Sequence, residues 1–270
     1  MKKILLLIAG ISFGMNSMAQ DAEGKEVQAG LVFGTSILMQ NVTSDYFQKG
    51  DELNYDLSLG MNVNFSLTES LVFCTGVEFD FETLKYKANP NINLFYVYEG
   101  KDIVQQSDVN LSGGQQSIYQ MTDRMQKATY LTIPTMLQFR TDFIGYFRYF
   151  GKFGLRNSFL VKSTINDEGF IPSLIPPTNT APREDMRAKN DLFFLKSAVG
   201  MSLGAEWNFV GTTCLVAELG YYYGFTPLHT QWNTDKLKNY YYSYNDLGQQ
   251  IQVNNAAQQG QLQFKLSILF

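Results

Sequence analysis

After its first twenty residues the chain has no stretch approaching the roughly eighteen consecutive apolar residues that an α-helix needs to cross a bilayer. An α-helical membrane protein is thereby excluded. Histidine is almost absent: His229 is the single one in 270 residues, set beside Thr230 and Gln231 in a polar connection, where a surface position is expected. Lipid-modifying hydrolases and acyltransferases that work through a histidine base, with serine or in an Asp/His constellation, have only this residue to draw on. No HExxH, CxxC, phosphate loop or glycine-rich nucleotide motif occurs. No enzyme is expected, and with it no catalytic residue, cofactor, metal site or nucleic-acid partner. Cysteine is limited to Cys74 and Cys214.

The amino terminus reads as a secretory signal over residues 1–19. Lys2 and Lys3 form its basic start, Ile4 to Phe13 its apolar middle, and Ser17-Met18-Ala19 places small residues at −3 and −1 of a cleavage site. Neither cysteine lies near that site, which argues against a lipid-anchored lipoprotein. Loss of Lys2 and Lys3 leaves 19 basic against 25 acidic residues, a net charge near −6. Residues 20–270 then form one exported, aromatic-rich domain.

Its organising stretch is Leu53 to Leu67, LNYDLSLGMNVNFSL. Leu53, Tyr55, Leu57, Leu59, Met61, Val63 and Phe65 alternate with small or polar residues, so one strand face is continuously apolar and the other continuously polar. At about thirteen residues it exceeds the usual strand of a globular protein and suits a wall between lipid and water. The same period recurs over Val27–Gln40, Leu71–Glu82, Ala128–Arg140, Tyr149–Val161, Leu192–Asn208, Thr213–Phe225 and Gln261–Phe270. Pro134, which cannot donate to a ladder, calls for a bulge or relaxed pairing. Connections after the second, fourth and sixth strands are short. Those after the first, third, fifth and seventh are longer, with Thr83–Lys127, Lys162–Asn190 and Thr226–Ala257 read as loops. Short turns at one end, long loops at the other and an even count describe an eight-stranded antiparallel transmembrane β-barrel with long extracellular loops, in the outer membrane of a Gram-negative bacterium.

Eight strands enclose an interior that side chains can fill. Its ionisable set is Asp56, Glu78, Asp80, Glu82, Glu206 and Glu218 against Arg140, Lys152, Arg156, Lys196 and Lys265. Unpaired charges in so narrow a space are costly, so interlocking ion pairs and a plugged lumen are expected. Outward aromatics (Tyr55, Phe65, Phe73, Tyr149, Trp207, Tyr221, Tyr223, Phe270) are placed to gather as interfacial girdles. Cys74 and Cys214 point inward from the third and seventh strands, on opposite walls. A bridge needs Cα atoms within about 7 Å, and none is expected.

Several segments together resemble the PorT-like outer-membrane β-barrel proteins of the Bacteroidetes. Tyr130 to Phe139 (YLTIPTMLQF) is close to that family's Y-L-x-I-P-L-L-L-K-Y strand. Tyr149 to Leu155 (YFGKFGL) is similar to its Y-x-x-x-G segment, and Val199 to Glu206 (VGMSLGAE) to its G-x-G-x-E strand. Glu218 to Phe225 (ELGYYYGF) resembles E-x-R-Y-x-x-G-L, with Gly220 where the family usually carries arginine, a departure at the site of a family ion pair. The resemblance implies the barrel and its location. It also implies a tie to type IX protein secretion, the role associated with the founding member.

The expected function is that of a filled outer-membrane barrel acting as a structural or interaction module, an accessory of a secretion or uptake machine. The alternative is a narrow channel or transporter for small solutes. Outer-membrane lipid is one partner; a protein is the other, reached through the extracellular loops or the periplasmic face. Asn91–Glu99 (NINLFYVYE) reads either as an exposed patch, as an extension of the wall, or as packing on neighbouring loops. Tyrosine-rich Lys238–Tyr244 reads as a recognition surface or as loop packing.

Overall fold

The computed structural model describes residues 27–105, 117–172, 181–189, 191–210, 213–229, 240–245, 247–253 and 255–270. The proposed signal segment lies outside them. The described residues form one sheet of fourteen strands: β1 (Val27–Val42), β2 (Phe47–Lys49), β3 (Asn54–Ser66), β4 (Leu71–Ala88), β5 (Leu94–Glu99), β6 (Asp102–Val104), β7 (Ser117–Arg140), β8 (Phe147–Phe170), β9 (Arg183–Ala188), β10 (Leu195–Val210), β11 (Thr213–Gly224), β12 (Tyr241–Tyr244), β13 (Gln250–Gln252) and β14 (Ala257–Leu269).

Antiparallel pairings run β1–β3, β3–β4, β4–β7, β7–β8, β8–β10, β10–β11 and β11–β14. Leu31↔Ile268 through Val42↔Ala257 then joins β14 back to β1 and closes the ring, with Phe270 N donating to Ala29 O at 2.9 Å. Each ring strand overlaps one of the alternating segments of the sequence, with ends shifted by a few residues. Along β3, Asn54, Asp56 and Ser58 are buried while Tyr55, Leu57 and Leu59 are exposed; β1, β11 and β14 repeat the pattern. The protein is therefore polar inside and apolar outside, the inverse of a water-soluble domain.

The sheet departs from eight strands because all four of the longer connections continue it. β4 runs to Ala88, β7 begins at Ser117 and β8 reaches Phe170, well beyond the apolar wall. β5 pairs with the upper part of β7, β6 with β5 and β9, and β12 with β5 and β13; β2 pairs with the top of β4. Inside this extension lies a core containing Phe47, Leu84, Tyr86, Leu94, Tyr96, Tyr119, Met121, Ile165, Tyr241 and Val253. The alternation broke in sequence because these strands bury aromatic and polar side chains together, away from lipid, so neither face is uniform. Leu94 and Tyr96 are buried, and β5 is a packed extension of the wall. Tyr240, Tyr241 and Tyr242 are likewise buried, so that tyrosine run is core and not a recognition surface, save for exposed Tyr244.

Pro134 is accommodated without a bulge at its own position. Register with β8 is continuous through Pro134↔Arg156, while the β4–β7 ladder lapses between Thr75↔Thr135 and Glu78↔Thr132. Thr75 Oγ1 donates to Pro134 O at 2.9 Å across that gap. The register shifts in β7–β8 fall elsewhere, at Met121/Asp123 and Thr129/Tyr130. Within the ring, glycines make room for large inward rings. A Cβ on Gly204 would collide with the ring of Phe150, its partner on β8, and one on Gly200 would meet Tyr222 of β11.

Candidate functional site: the lumen and its folded cap

Inward parity on the ring strands delivers charged side chains from opposite walls to one axis. Arg156 of β8 reaches β4, with Nη1 2.8 Å from Glu78 Oε2 and Nη2 3.0 Å from Asp80 Oδ2, and also donates to Gln263 Oε1 of β14 at 3.1 Å. Lys265 of β14 approaches Glu78 Oε1 from the far side at 2.6 Å. Lys152 Nζ lies 2.6 Å from Glu218 Oε2, whose other oxygen accepts from Ser202 Oγ at 2.7 Å. Lys196 pairs with Glu82, above the Tyr130 ring. Asp80 accepts from Thr132 Oγ1 at 2.5 Å, and the Arg156 guanidinium lies over the Tyr222 ring.

Two members of the expected set differ. Arg140 stands at the short-turn rim and donates to Glu69 O at 2.8 Å and Ser66 Oγ at 3.3 Å, with no carboxylate partner among the described residues. It is the last residue of β7, so its long side chain turns to the adjacent loop. Its expected place is taken by Arg148, whose Nε is 2.8 Å from Glu206 Oε2. Because β8 begins at Phe147, Arg148 lies inside the ring; a strand started at Tyr149 leaves it out. Gln138 Nε2 donates to the other Glu206 oxygen at 2.9 Å, and Cys74 Sγ to Gln138 Oε1 at 3.4 Å. Asp56 has neutral donors instead of a cation: Ser36 Oγ at 3.2 Å and Gln261 Nε2 at 3.0 Å. Both cysteines are buried and no disulfide joins them. Between these groups lies a cavity of about 30 Å³, lined by Asn62, Asn64, Glu78, Lys152, Glu218 and Lys265 among others. Its size is that of about one water molecule.

Above the lumen the cap has its own polar centre. Arg124 of β7 holds Asp167 of β8 with two bonds, Nε–Oδ1 at 2.7 Å and Nη2–Oδ2 at 2.6 Å, both side chains fully buried. The Tyr241 ring lies 4.9 Å from the guanidinium carbon, and its hydroxyl accepts from Arg124. Nearby, His229 is 0% exposed, which overturns its expected surface position. Its Nε2 shares a 3.0 Å hydrogen bond with Tyr86 Oη, and its Nδ1 lies 3.3 Å from Asn255 Nδ2 and 3.6 Å from Asp191 Oδ2. Leu192 and His229 form an isolated bridge, drawing the connections before β10 and after β11 together. Burial pushes the Asp191 carboxyl up, but the hydrogen bond and charge of His229, then Arg124 and Gln126, hold it below its ordinary value. Nothing local to His229 marks it as buried; its partners come from β4 and from residues 191 and 255.

Apolar residues face out all round the ring, among them Phe33, Leu59, Phe79, Leu137, Phe153, Leu203, Leu219 and Phe264. Residues 18–230 match the model of the outer membrane protein beta-barrel domain. The chain belongs to that family. Outer-membrane location and an all-β barrel fold follow from it. This outer-membrane barrel is similar to Neisserial surface protein A (NspA), at 9% identity and a TM-score of 0.36 over 91% of this chain and 99% of that one. It is similar to OprG of Pseudomonas aeruginosa at 11% identity and a TM-score of 0.41, covering 90% and 93% of the two chains. A third likeness is to the outer membrane protease OmpT of Escherichia coli, at 10% identity and 0.34, covering 93% and 98%. Likenesses this distant carry no argument about activity. A search of curated proteins finds no match.

Proposed function

We propose that the closed ring of eight strands crosses the outer membrane as a plugged barrel and that the protein works as a structural and interaction module. The observation that carries this reading is the filling of the lumen. Arg156, Lys265, Lys152, Lys196 and Arg148 each engage a carboxylate, and the cavity among them is only about 30 Å³. A solute path would require those pairs to separate, each leaving buried charge without its counter-ion. The cap, with its own core over the ring, supports closure at the outer end as well.

In this reading contacts with a protein partner form on the outer face of the cap or at the periplasmic turns. The PorT-like motifs, Tyr130–Phe139 above all, favour an accessory role in type IX-like secretion over one in uptake. The test is a mild-detergent pull-down of tagged protein from native outer membranes. A stoichiometric partner identifies the machine, and recovery of the barrel alone removes the accessory role. Planar-bilayer recordings test the plug: the expected result is no steady current, whereas sustained open current means a solute channel.

A further inference from the structure

Outside the ring, the wall made by β4, β7 and β8 changes character over one strand pair. Its outward residues are mostly apolar from the short turns upward, Thr75, Thr135 and Asn157 aside: Phe79 and Phe81 on β4, Leu137, Ile133 and Leu131 on β7, Phe153, Leu155, Phe159 and Val161 on β8. The next outward positions are Thr83 and Lys85, Thr129 and Lys127, Lys162 and Thr164. Twelve residues separate Phe139 from Lys127. At about 3.3 Å per residue and a tilt of about 40°, this raises Lys127 roughly 30 Å along the barrel axis, just past an apolar band about 25 Å tall.

Register brings these lysines together. Lys127 pairs with Thr83 on one side and Thr164 on the other, while Lys162 pairs with Thr129. Lys85 and Lys162 are therefore the diagonal neighbours of Lys127 on the same face, a distance at which long side chains meet and like charges repel. Lys85 is engaged by Glu52. Lys127 and Lys162 are exposed, and no ion pair among the described residues engages either. Further out, Asp123 and Glu168 face each other across β7 and β8 and disfavour an anion at that height. Net positive charge is thus confined to the level where lipid headgroups lie, with Thr129 and Thr164 half-buried at paired positions and Thr83 buried.

We propose that Lys127 and Lys162, backed by Lys85, bind the phosphate of an anionic lipid headgroup in the outer leaflet. The lysine stems lie against the top of the apolar wall and their ammonium groups reach the headgroup. An anion there also relieves the repulsion between the two lysines. The inference rests on the reading that the ring crosses the membrane.

The test is native mass spectrometry of the full-length folded protein in mixed micelles, titrated with phosphatidic acid or phosphatidylcholine. Phosphatidic acid should be retained at least tenfold more tightly, and the preference should weaken with salt. The double variant Lys127→Gln/Lys162→Gln should lose that preference, and the Lys→Arg pair should keep it. Equal retention of both lipids by the wild type, or an unchanged preference in the Gln variant, overturns the inference. Insertion into phosphatidylcholine vesicles is measured in parallel by protease protection. A protein that fails to insert sinks the membrane reading with it. One that inserts without phosphate preference sinks only the headgroup site.

Discussion

Glu78 accepts from two cations that arrive from different walls, Arg156 of β8 and Lys265 of β14. Replacing it by glutamine leaves both buried with weakened partners. Removing one member of a buried ionic group typically destabilises by about 3–5 kcal/mol. Glu78→Gln should lower the urea midpoint of the detergent-folded protein accordingly, while Glu52→Gln, at an exposed pair, should barely move it. A second residue-scale expectation concerns Asp191. Its folded pKa is depressed, so its contribution to cap stability is complete above the ordinary carboxylate pKa of about 3.9 and is lost as pH falls below that. Cap proteolysis that accelerates below about pH 4 in the wild type, and far less in Asp191→Asn, is the expected result. Parity along the strands alone places Arg156, Glu78, Asp80, Lys152, Lys196, Glu206, Glu218 and Lys265 inward. It could not say which cation meets which carboxylate, since Lys265 and Glu78 are 187 residues apart in sequence.

Among the elements, β7 and β8 are long enough to serve two solvents. Their lower halves carry lipid on the outside; their upper halves, from Ser117 to Lys127 and from Lys162 to Phe170, frame the cap. Beyond the β5–β7 and β8–β9 ladders, the cap is tied to this frame by the Arg124–Asp167 pair between the two strands and Tyr241 laid over it. Arg124→Ala leaves Asp167 buried without its cation, so the cap should open. Limited proteolysis is expected to cut within residues 89–116 and 225–256 while the ring keeps its heat-modifiable migration; resistance equal to wild type would show that Arg124 is not what holds the cap. Lower down, Phe150 occupies the space that Gly204 leaves open. Gly204→Val should displace that ring and destabilise the barrel by about 1–3 kcal/mol, read from the same urea midpoint. The ring strands were legible because a lipid-facing wall forces strict alternation. The upper strands were not, because packing beneath a cap requires no such period.

At the scale of the whole molecule, the ring is closed by β1 and β14, and the ends of the described chain meet at the short-turn side through Ala29 and Phe270. Closure removes every edge within the wall, which is what a sheet in lipid requires. The third and seventh strands of such a ring stand opposite, so Cys74 and Cys214 face each other across a filled lumen. Exposure to a mild oxidant should leave the electrophoretic mobility of the folded protein unchanged; a shift to a compact, reducible form would contradict that geometry.

Alternation was enough to fix an outward apolar wall and an inward polar set, because each is a local property written at a period of two. The cap and the ion-pair partners depend on contacts between segments far apart in the chain, and no local period records them. Pairing in space buried His229 with Asp191 and Tyr86, moved Arg140 to the rim, brought in Arg148, and turned a tyrosine-rich connection into core. Those placements belong to the tertiary structure, where a side chain's environment is set by which strand closes against it.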